Sequence, residues 1–415
     1  MAVGHAHVRT VGVVTVARSD YGIYLPILRR MGQEPELRIH LIVSGMHLSP
    51  EFGLTVNSIE DDGFEIGDRV EMLLSSDTPE GIAKSMAMGT MGFAQSFSQN
   101  RPDILLVLGD RFEMHSAAVA ALPFNIPVAH IHGGEITEGA MDDALRHSMT
   151  KLSHLHFVST QEYRDRVLQM GEEPWRVILS GAPSLDNLHS MDLLETHELA
   201  AKYGLNLNSP PLLVTFHPVT LEQEDTEWHV QELLAALEES QMPLIITHPN
   251  ADTQGRLVAR MLRDYVDTHA NAQMIDNLGT RDYFSLMTCA AAVVGNSSSG
   301  IIEAPSFGLP VVNIGTRQQG RVRSGNVIDI GHRRAEILES IKTATGATFR
   351  ATLENLCNPY GDGHASDVIV KHLGSVSLDS SVDSSLIRKR FVDGSPVPEQ
   401  TDPAEKLTHA RANTS

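Results

Sequence analysis

The chain has 415 residues, 41% of them hydrophobic, and its 32 basic against 52 acidic side chains give a formal charge of −20 at pH 7. That length exceeds one ordinary domain and points to two, while the acid excess excludes nonspecific attraction to nucleic acid or to an anionic membrane surface. Two cysteines, Cys289 and Cys357, with no CxxC pair exclude a disulfide framework and a thiolate zinc site, and no run reaches the roughly 18 to 20 apolar residues of a membrane-spanning helix.

The opening MAVGHAHVRT lacks the apolar centre of a signal peptide, so a cytoplasmic protein is expected. Short β-rich runs then alternate with helical segments: VGVVTVA (11–17), LRIHLIVSG (37–45), DILLVLGD (103–110), IPVAHIHGG (126–134), HLHFVST (154–160) and RVILSG (176–181). Runs without polar alternation suit strands buried on both faces, and the segments between them are long enough for crossover helices. After the polar NLNSPP (206–211) the pattern restarts with LLVTFHP, PLIITHP, AQMIDNL, AAVVGNSS, LPVVNIG and NVIDIG. The expectation is an α/β chain of two doubly wound parallel-sheet domains, residues 1–185 and 186–375, with a cleft between them. Residues 376–415, rich in Ser, Asp, Pro and Thr, are expected to form a disordered tail.

In open parallel sheets, ligands sit beyond the carboxyl ends of the strands. The polar residues found there come from both halves: Arg18, Asp20, Asp110, Arg111, His132 to Glu135, His217, His248, Asn250, Asn296 to Ser299, and Arg317 to Arg321. A site in the cleft is the economical arrangement.

GNSSSGIIE (295–303) follows a strand and opens a helix, so Ser297, Ser298 and Ser299 can offer hydroxyls and amides to a phosphate, with an ordinary serine N-cap as the plain alternative. Glu303 can accept from a ribose or partner the helix dipole. TRQQGR (316–321) carries Arg317 and Arg321, whose guanidinium forks suit a diphosphate. GDRFE (109–113) ends a strand with adjacent Asp110 and Arg111, either a proton-handling pair or a strand-end salt bridge.

HIHGGEITEGAMDDALRHSMTK (130–151) holds three histidines and four carboxylates. His130 and His132 alternate along a strand, a spacing that metal sites also use, but there is no HExxH and buried polar groups are the commoner reading. The two glycines allow close backbone approach and aim Glu135 at the cleft. In the helix that follows, Asp142 and Arg146 share one stripe, and Asp143, His147 and Lys151 another. Surface i, i+4 pairs of this kind contribute only about 0.2–0.5 kcal/mol each. No GxGxxG follows the first strand and no GxxxxGK or GxSxG occurs, which disfavours nicotinamide, P-loop and serine-hydrolase chemistry.

Taken in order, ARSDY (17–21), GDRFE, the HIHGGE to DDALRHSMTKLSH run, FHPVT (216–220), GNSSSGIIE with FGLPVVNIGTRQQGR, and YGDG (360–363) make the chain resemble the hydrolysing UDP-N-acetylglucosamine 2-epimerases from about residue 8 to 375. The resemblance implies a GT-B-like pair of Rossmann-type domains that use neither metal nor nicotinamide. It also implies a reaction: the sugar C2 proton is removed as UDP departs, and the resulting 2-acetamido glycal is hydrated to the free 2-epimer, N-acetylmannosamine from UDP-N-acetylglucosamine. Arg18, His217, Asn250, Ser297, Ser298, Glu303 and Arg321 are the implied UDP contacts. Asp110, Arg111 and Asp142 match residues that the family uses around the reacting sugar, and together with His132, Glu135 and His217 they form the expected catalytic set; a homo-oligomer, dimer or tetramer, is implied as well.

One departure stands beside the sugar. Where members acting on UDP-N-acetylglucosamine carry a glutamate before the Gly-Gly, this chain has His132, which keeps a second substrate in view, UDP-N,N'-diacetylbacillosamine. Two readings from other classes are a GT-B glycosyltransferase, which needs an acceptor, and a non-catalytic nucleotide-sugar sensor, against which the retained Asp110, Asp142 and Glu135 argue.

Overall fold

The computed structural model describes residues 8–74, 76, 78–137, 141–219, 224–249, 255–275, 278–378 and 386–393. The strands of the first half are β1 (Arg9–Thr15), β2 (Leu37–Ser44), β3 (Ile66–Val70), β4 (Ile104–Leu108), β5 (Val128–Ile131), β6 (Leu155–Val158) and β7 (Val177–Leu179). They form one sheet in the order β3-β2-β1-β4-β5-β6-β7. The second half contributes β8 (Leu212–Thr215), β9 (Leu244–Thr247), β10 (Ala272–Ile275), β11 (Ala292–Gly295), β12 (Val311–Ile314) and β13 (Val327–Ile330). Their order is β10-β9-β8-β11-β12-β13, and every pairing in both sheets is parallel.

These are two Rossmann-like α/β domains of the GT-B type, as expected. The strand order reverses between β1 and β4 and again between β8 and β11, which opens a crevice at the carboxyl end of each sheet. Every expected apolar run forms a strand. The additional one is β3, whose IGDRV alternates half-exposed and exposed residues up to its buried valine, because it lies at a sheet edge where only one face needs to be apolar.

Burial explains the local choices. All five residues of β4, ILLVL, are buried, as a central strand covered on both faces requires. Helix Arg18–Met31 sets Tyr24, Ile27, Leu28 and Met31 into the same core. Each such apolar side chain contributes about 1.5–3 kcal/mol when removed from water.

The chain returns to its first half at the end. Helix Ala365–Ser375 packs Ile369, Val370 and Leu373 into the first core, and the Asp186 carboxylate accepts from the amides of Ala365 (2.9 Å) and Ser366 (2.6 Å) at its start. By packing, this helix therefore belongs with the first sheet, although the expected division placed it in the second domain. The expected tail also has a packed part. Leu386 is buried, and Arg176 donates to the carbonyls of Leu386 (2.8 Å) and Arg388 (2.7 Å). Lys389 reaches Glu172 at 2.9 Å. Its remaining stretches, 379–385 and 394–415, lie outside the described residues.

Candidate active site

β4 is followed by Gly109, whose φ of +75° is a conformation that favours glycine, and the turn delivers Asp110 and Arg111 to the crevice. Arg111 is the N-cap residue of helix Phe112–Ala121. Its guanidinium lies 3.3 Å from Glu113 and faces Asp20 and His47. Burial acts to lower the Arg111 pKa, but Glu113, Asp20 and Asp110 outweigh it and raise it. Asp20, buried and accepting from Thr15 and from the amides of Val16 and Ala17, is pushed up to about 7 by burial. Burial takes the neighbouring His47 down to about 4.

β5 is followed by His132, which holds a φ of +65° despite its side chain, and then by Gly133 and by Gly134 at +79°. A non-glycine residue in this region is strained by about 1–3 kcal/mol, a cost that concentrates at functional sites. A Cβ on Gly134 would lie 2.5 Å from the Tyr163 carbonyl oxygen, so the second glycine is required by a close approach.

The turn brings His132 Nδ1 to 2.6 Å from Glu135 Oε1, with both side chains buried. Ser159 also donates to that oxygen at 3.2 Å. The other oxygen faces two guanidinium groups, Arg146 at 3.8 Å and Arg321 at 3.7 Å. Burial alone would raise the Glu135 carboxyl, but His132, Arg321 and Arg146 hold it well below the usual carboxylate range. Glu135 is therefore an anion that only accepts hydrogen bonds, which places a proton on His132 Nδ1 and makes Nε2 the nitrogen able to exchange a proton with a ligand.

Arg146 ties the two strand ends together. It donates to the His132 carbonyl at 2.9 Å, to Thr137 at 3.2 Å and to the Asp110 carboxylate. The sequence reading placed Arg146 on a helix stripe and left it out of the catalytic set. The available signal was its i, i+4 spacing from Asp142, which sits half-buried in the first turn of helix Met141–Leu152.

His130 and two histidines around β6 serve the sheet. His130 lies 2.8 Å from the Gly109 carbonyl and is lowered to about 3 by burial. His154 accepts from the Val128 amide, and His156 meets Glu172 at 3.1 Å.

The second domain supplies the opposite wall. His217 follows β8, is buried, and is lowered to about 3 by burial and by Arg317. The Asn296 side chain clamps its backbone, accepting from the amide at 2.7 Å and donating to the carbonyl at 2.8 Å. Ser297 caps helix Ser298–Ile302, and its hydroxyl lies 2.8 Å from that of Ser299. Glu303, at the end of this helix, accepts from Ser184 of the first domain at 2.6 Å, and burial pushes it up to about 7.

Asp110, His132, Glu135, Arg146 and Arg321 thus gather in one contiguous network, with Glu303 electrostatically coupled to it through Arg321. Arg18 opens helix Arg18–Met31 with an exposed side chain. Asn250 lies outside the described residues.

Residues 29–374 match the protein family described as UDP-N-acetylglucosamine 2-epimerase. The chain belongs to the UDP-N-acetylglucosamine 2-epimerase family. It is similar to the GDP/UDP-N,N'-diacetylbacillosamine 2-epimerase (hydrolyzing) of Campylobacter jejuni, with 39% identity over 77% of this chain and 84% of that protein. It is similar to the UDP-N,N'-diacetylbacillosamine 2-epimerase (hydrolyzing) of Legionella pneumophila, with 35% identity over 90% of this chain and 98% of that one. Among solved structures, the UDP-GlcNAc 2-epimerase of Neisseria meningitidis bound to UDP-GlcNAc shares the fold, with a TM-score of 0.76 and 20% identity over 88% of this chain and 99% of that chain. The 2-epimerase family makes the chain an enzyme rather than a sensor, and the network above lies in the motifs that carried the resemblance. No helix among the described residues is long and apolar enough to cross a membrane.

Proposed function

We propose that the protein is a hydrolysing 2-epimerase of a UDP-activated 2-acetamido sugar. The observation that carries this reading is the cross-cleft contact between Glu135, partner of the candidate acid/base pair, and Arg321 on the loop after β12. One charged network then spans the sugar side and the nucleotide side of the cleft.

In the proposed reaction, a base on the first domain takes the C2 proton. The C–H electron pair forms the C1=C2 double bond, and the C1–O bond breaks with its electrons going to the diphosphate. Water then adds its oxygen to C1 while a proton is delivered to C2 from the opposite face, so the products are UDP and the free 2-epimer. Asp110 and the Nε2 of His132 are the proton-handling groups, with Glu135 fixing the His132 tautomer and Arg146 orienting Asp110. Arg321 and Arg18 meet the developing diphosphate charge, Ser297, Ser298 and Asn250 contact the nucleotide, and Glu303 accepts from the ribose. Arg111, Asp142 and His217 line the reacting sugar.

For the sugar, UDP-N,N'-diacetylbacillosamine is the first choice, supported by the names of the Campylobacter and Legionella relatives and by His132 at the family's glutamate position. UDP-N-acetylglucosamine is the second, supported by the description of the matching family. Turnover of the two compounds side by side without an acceptor decides between them. The first choice predicts a kcat/KM at least tenfold higher for the diacetamido sugar, and a preference for UDP-N-acetylglucosamine would reverse it. The same reading places the enzyme in the cytoplasm as a homo-oligomer, a dimer or tetramer, to be checked by light scattering on a sizing column.

A further inference from the structure

Between β12 and β13, residues 315–326 form no helix or strand, yet this loop must present Arg321 at a fixed place. Arg323 bonds the Arg321 and Gln318 carbonyls within the loop, and Gln318 bonds the Asn296 carbonyl; the tie to the first domain, at Val322, is a pair of buried phenols. Tyr163 belongs to helix Gln161–Gln169 of the first domain, and Tyr360 lies on the segment by which the chain returns there; both side chains are fully buried. The Val322 amide donates to the Tyr163 hydroxyl at 3.0 Å, the Tyr360 hydroxyl donates to the Val322 carbonyl at 3.0 Å, and the two hydroxyls are 3.0 Å apart.

Proton counting closes the ring. Tyr360 uses its one proton on the Val322 carbonyl, so the bond between the phenols takes its proton from Tyr163, whose oxygen accepts from the Val322 amide. Three bonds run head to tail from the amide of one residue back to its own carbonyl, an arrangement in which each bond polarises the next.

The surroundings fix both phenols. The Ala182 amide donates to the Tyr360 carbonyl at 2.8 Å, and the Tyr360 amide donates to Asn358, which in turn donates to the carbonyl of Ile302 at 2.8 Å. Tyr163 lies directly beneath the sugar-side turn, because its carbonyl is the atom that excludes a Cβ at Gly134, and Arg166 of the same helix donates to the Gly134 carbonyl. The helix carrying Tyr163 therefore supports the His132–Glu135 turn on one side and, through the phenol ring, the residue next to Arg321 on the other.

We infer that Tyr163 and Tyr360 are positioning residues for nucleotide binding. They clamp the peptide at Val322 so that the Arg321 guanidinium enters the cleft facing Glu135, ready for a diphosphate. This inference rests on the proposed nucleotide role of Arg321.

The experiment uses the full-length protein with Tyr163→Phe, Tyr360→Phe and the double substitution; each change keeps the aromatic side chain and removes one hydroxyl oxygen. UDP affinity, KM and kcat for the UDP-sugar, melting temperature, and hydrogen exchange over residues 316–326 are measured for each. In each single variant, UDP affinity falls five- to twentyfold, KM rises by a similar factor, kcat stays within about twofold and exchange over the loop accelerates. The double variant is within about twofold of the worse single one, since opening the ring once releases the loop. A conventional packing role would instead lower the melting temperature and leave the KM-to-kcat split unmoved. Unchanged UDP affinity in both single variants overturns the inference, and so does a fall in kcat at constant KM. If the parent protein itself neither binds UDP nor turns over a UDP-sugar, the functional reading fails and takes the inference with it. A working parent with indifferent variants sinks the inference alone.

Discussion

Asp110 and His132 stand at the ends of adjacent strands, and each is held by a neighbour that was harder to read than itself. Arg146 donates to Asp110 and to the His132 carbonyl, and Glu135 fixes the His132 ring. Asp110→Asn keeps an oxygen for Arg146 but cannot take a proton. Turnover should fall at least about a hundredfold, within the range by which a positioned acid or base contributes, while UDP affinity by calorimetry stays within about threefold. A comparable loss of UDP affinity would contradict a role at the sugar.

Glu303 gives a pH prediction. Burial raises its folded-state pKa to about 7, against about 4.3 in an unfolded chain, so the folded protein holds an extra proton between those values. Its stabilising contribution is full below about pH 4 and is lost as pH rises through about 7. Glu303→Gln retains an acceptor for Ser184 and cannot ionise, so its melting temperature should fall less than the parent's between pH 5 and 8. Parallel profiles would show that Glu303 is already ionised at pH 5. At this scale the residues flanking strand ends were legible in the sequence, since parallel-sheet geometry fixes where they go. Arg146 was not, because a helix stripe looks alike whether it faces solvent or a strand end.

Among the elements, the long apolar runs announced their strands, and the half-exposed edge strand β3 did not, since one covered face needs too few apolar residues to stand out. The C-terminal segment was hidden for a related reason: a few residues in a polar stretch carry its packing. Lys389 donates to the carbonyls of Lys151 (2.7 Å) and Ser153 (2.7 Å), at the end of the helix bearing Asp142 and Arg146, and pairs with Glu172. A chain ending at residue 378 loses these bonds, two of the three backbone acceptors of Arg176, and the burial of Leu386. It should be destabilised by about 3 kcal/mol or more, seen as a melting temperature several degrees lower. An unchanged melting temperature would mean that residues 386–393 do not hold the first domain.

For the whole molecule, the two-domain architecture was legible because twelve apolar runs fall into two sets separated by NLNSPP. Which side chains meet across the cleft was not legible, since the contact between Glu135 and Arg321 joins positions 186 residues apart in the chain (321 − 135 = 186) and depends on how the domains face each other. The proposed reaction is an elimination followed by hydration, performed by side chains of this one chain. Its most direct test is proton NMR of the full-length enzyme in D2O containing EDTA, with a UDP-2-acetamido sugar and no acceptor. The expected result is UDP released as fast as without EDTA, beside a free 2-epimer carrying deuterium at C2. Release only when an acceptor is added would establish a transferase, and a free sugar of inverted C2 that retains its protium would contradict removal of the C2 proton to solvent.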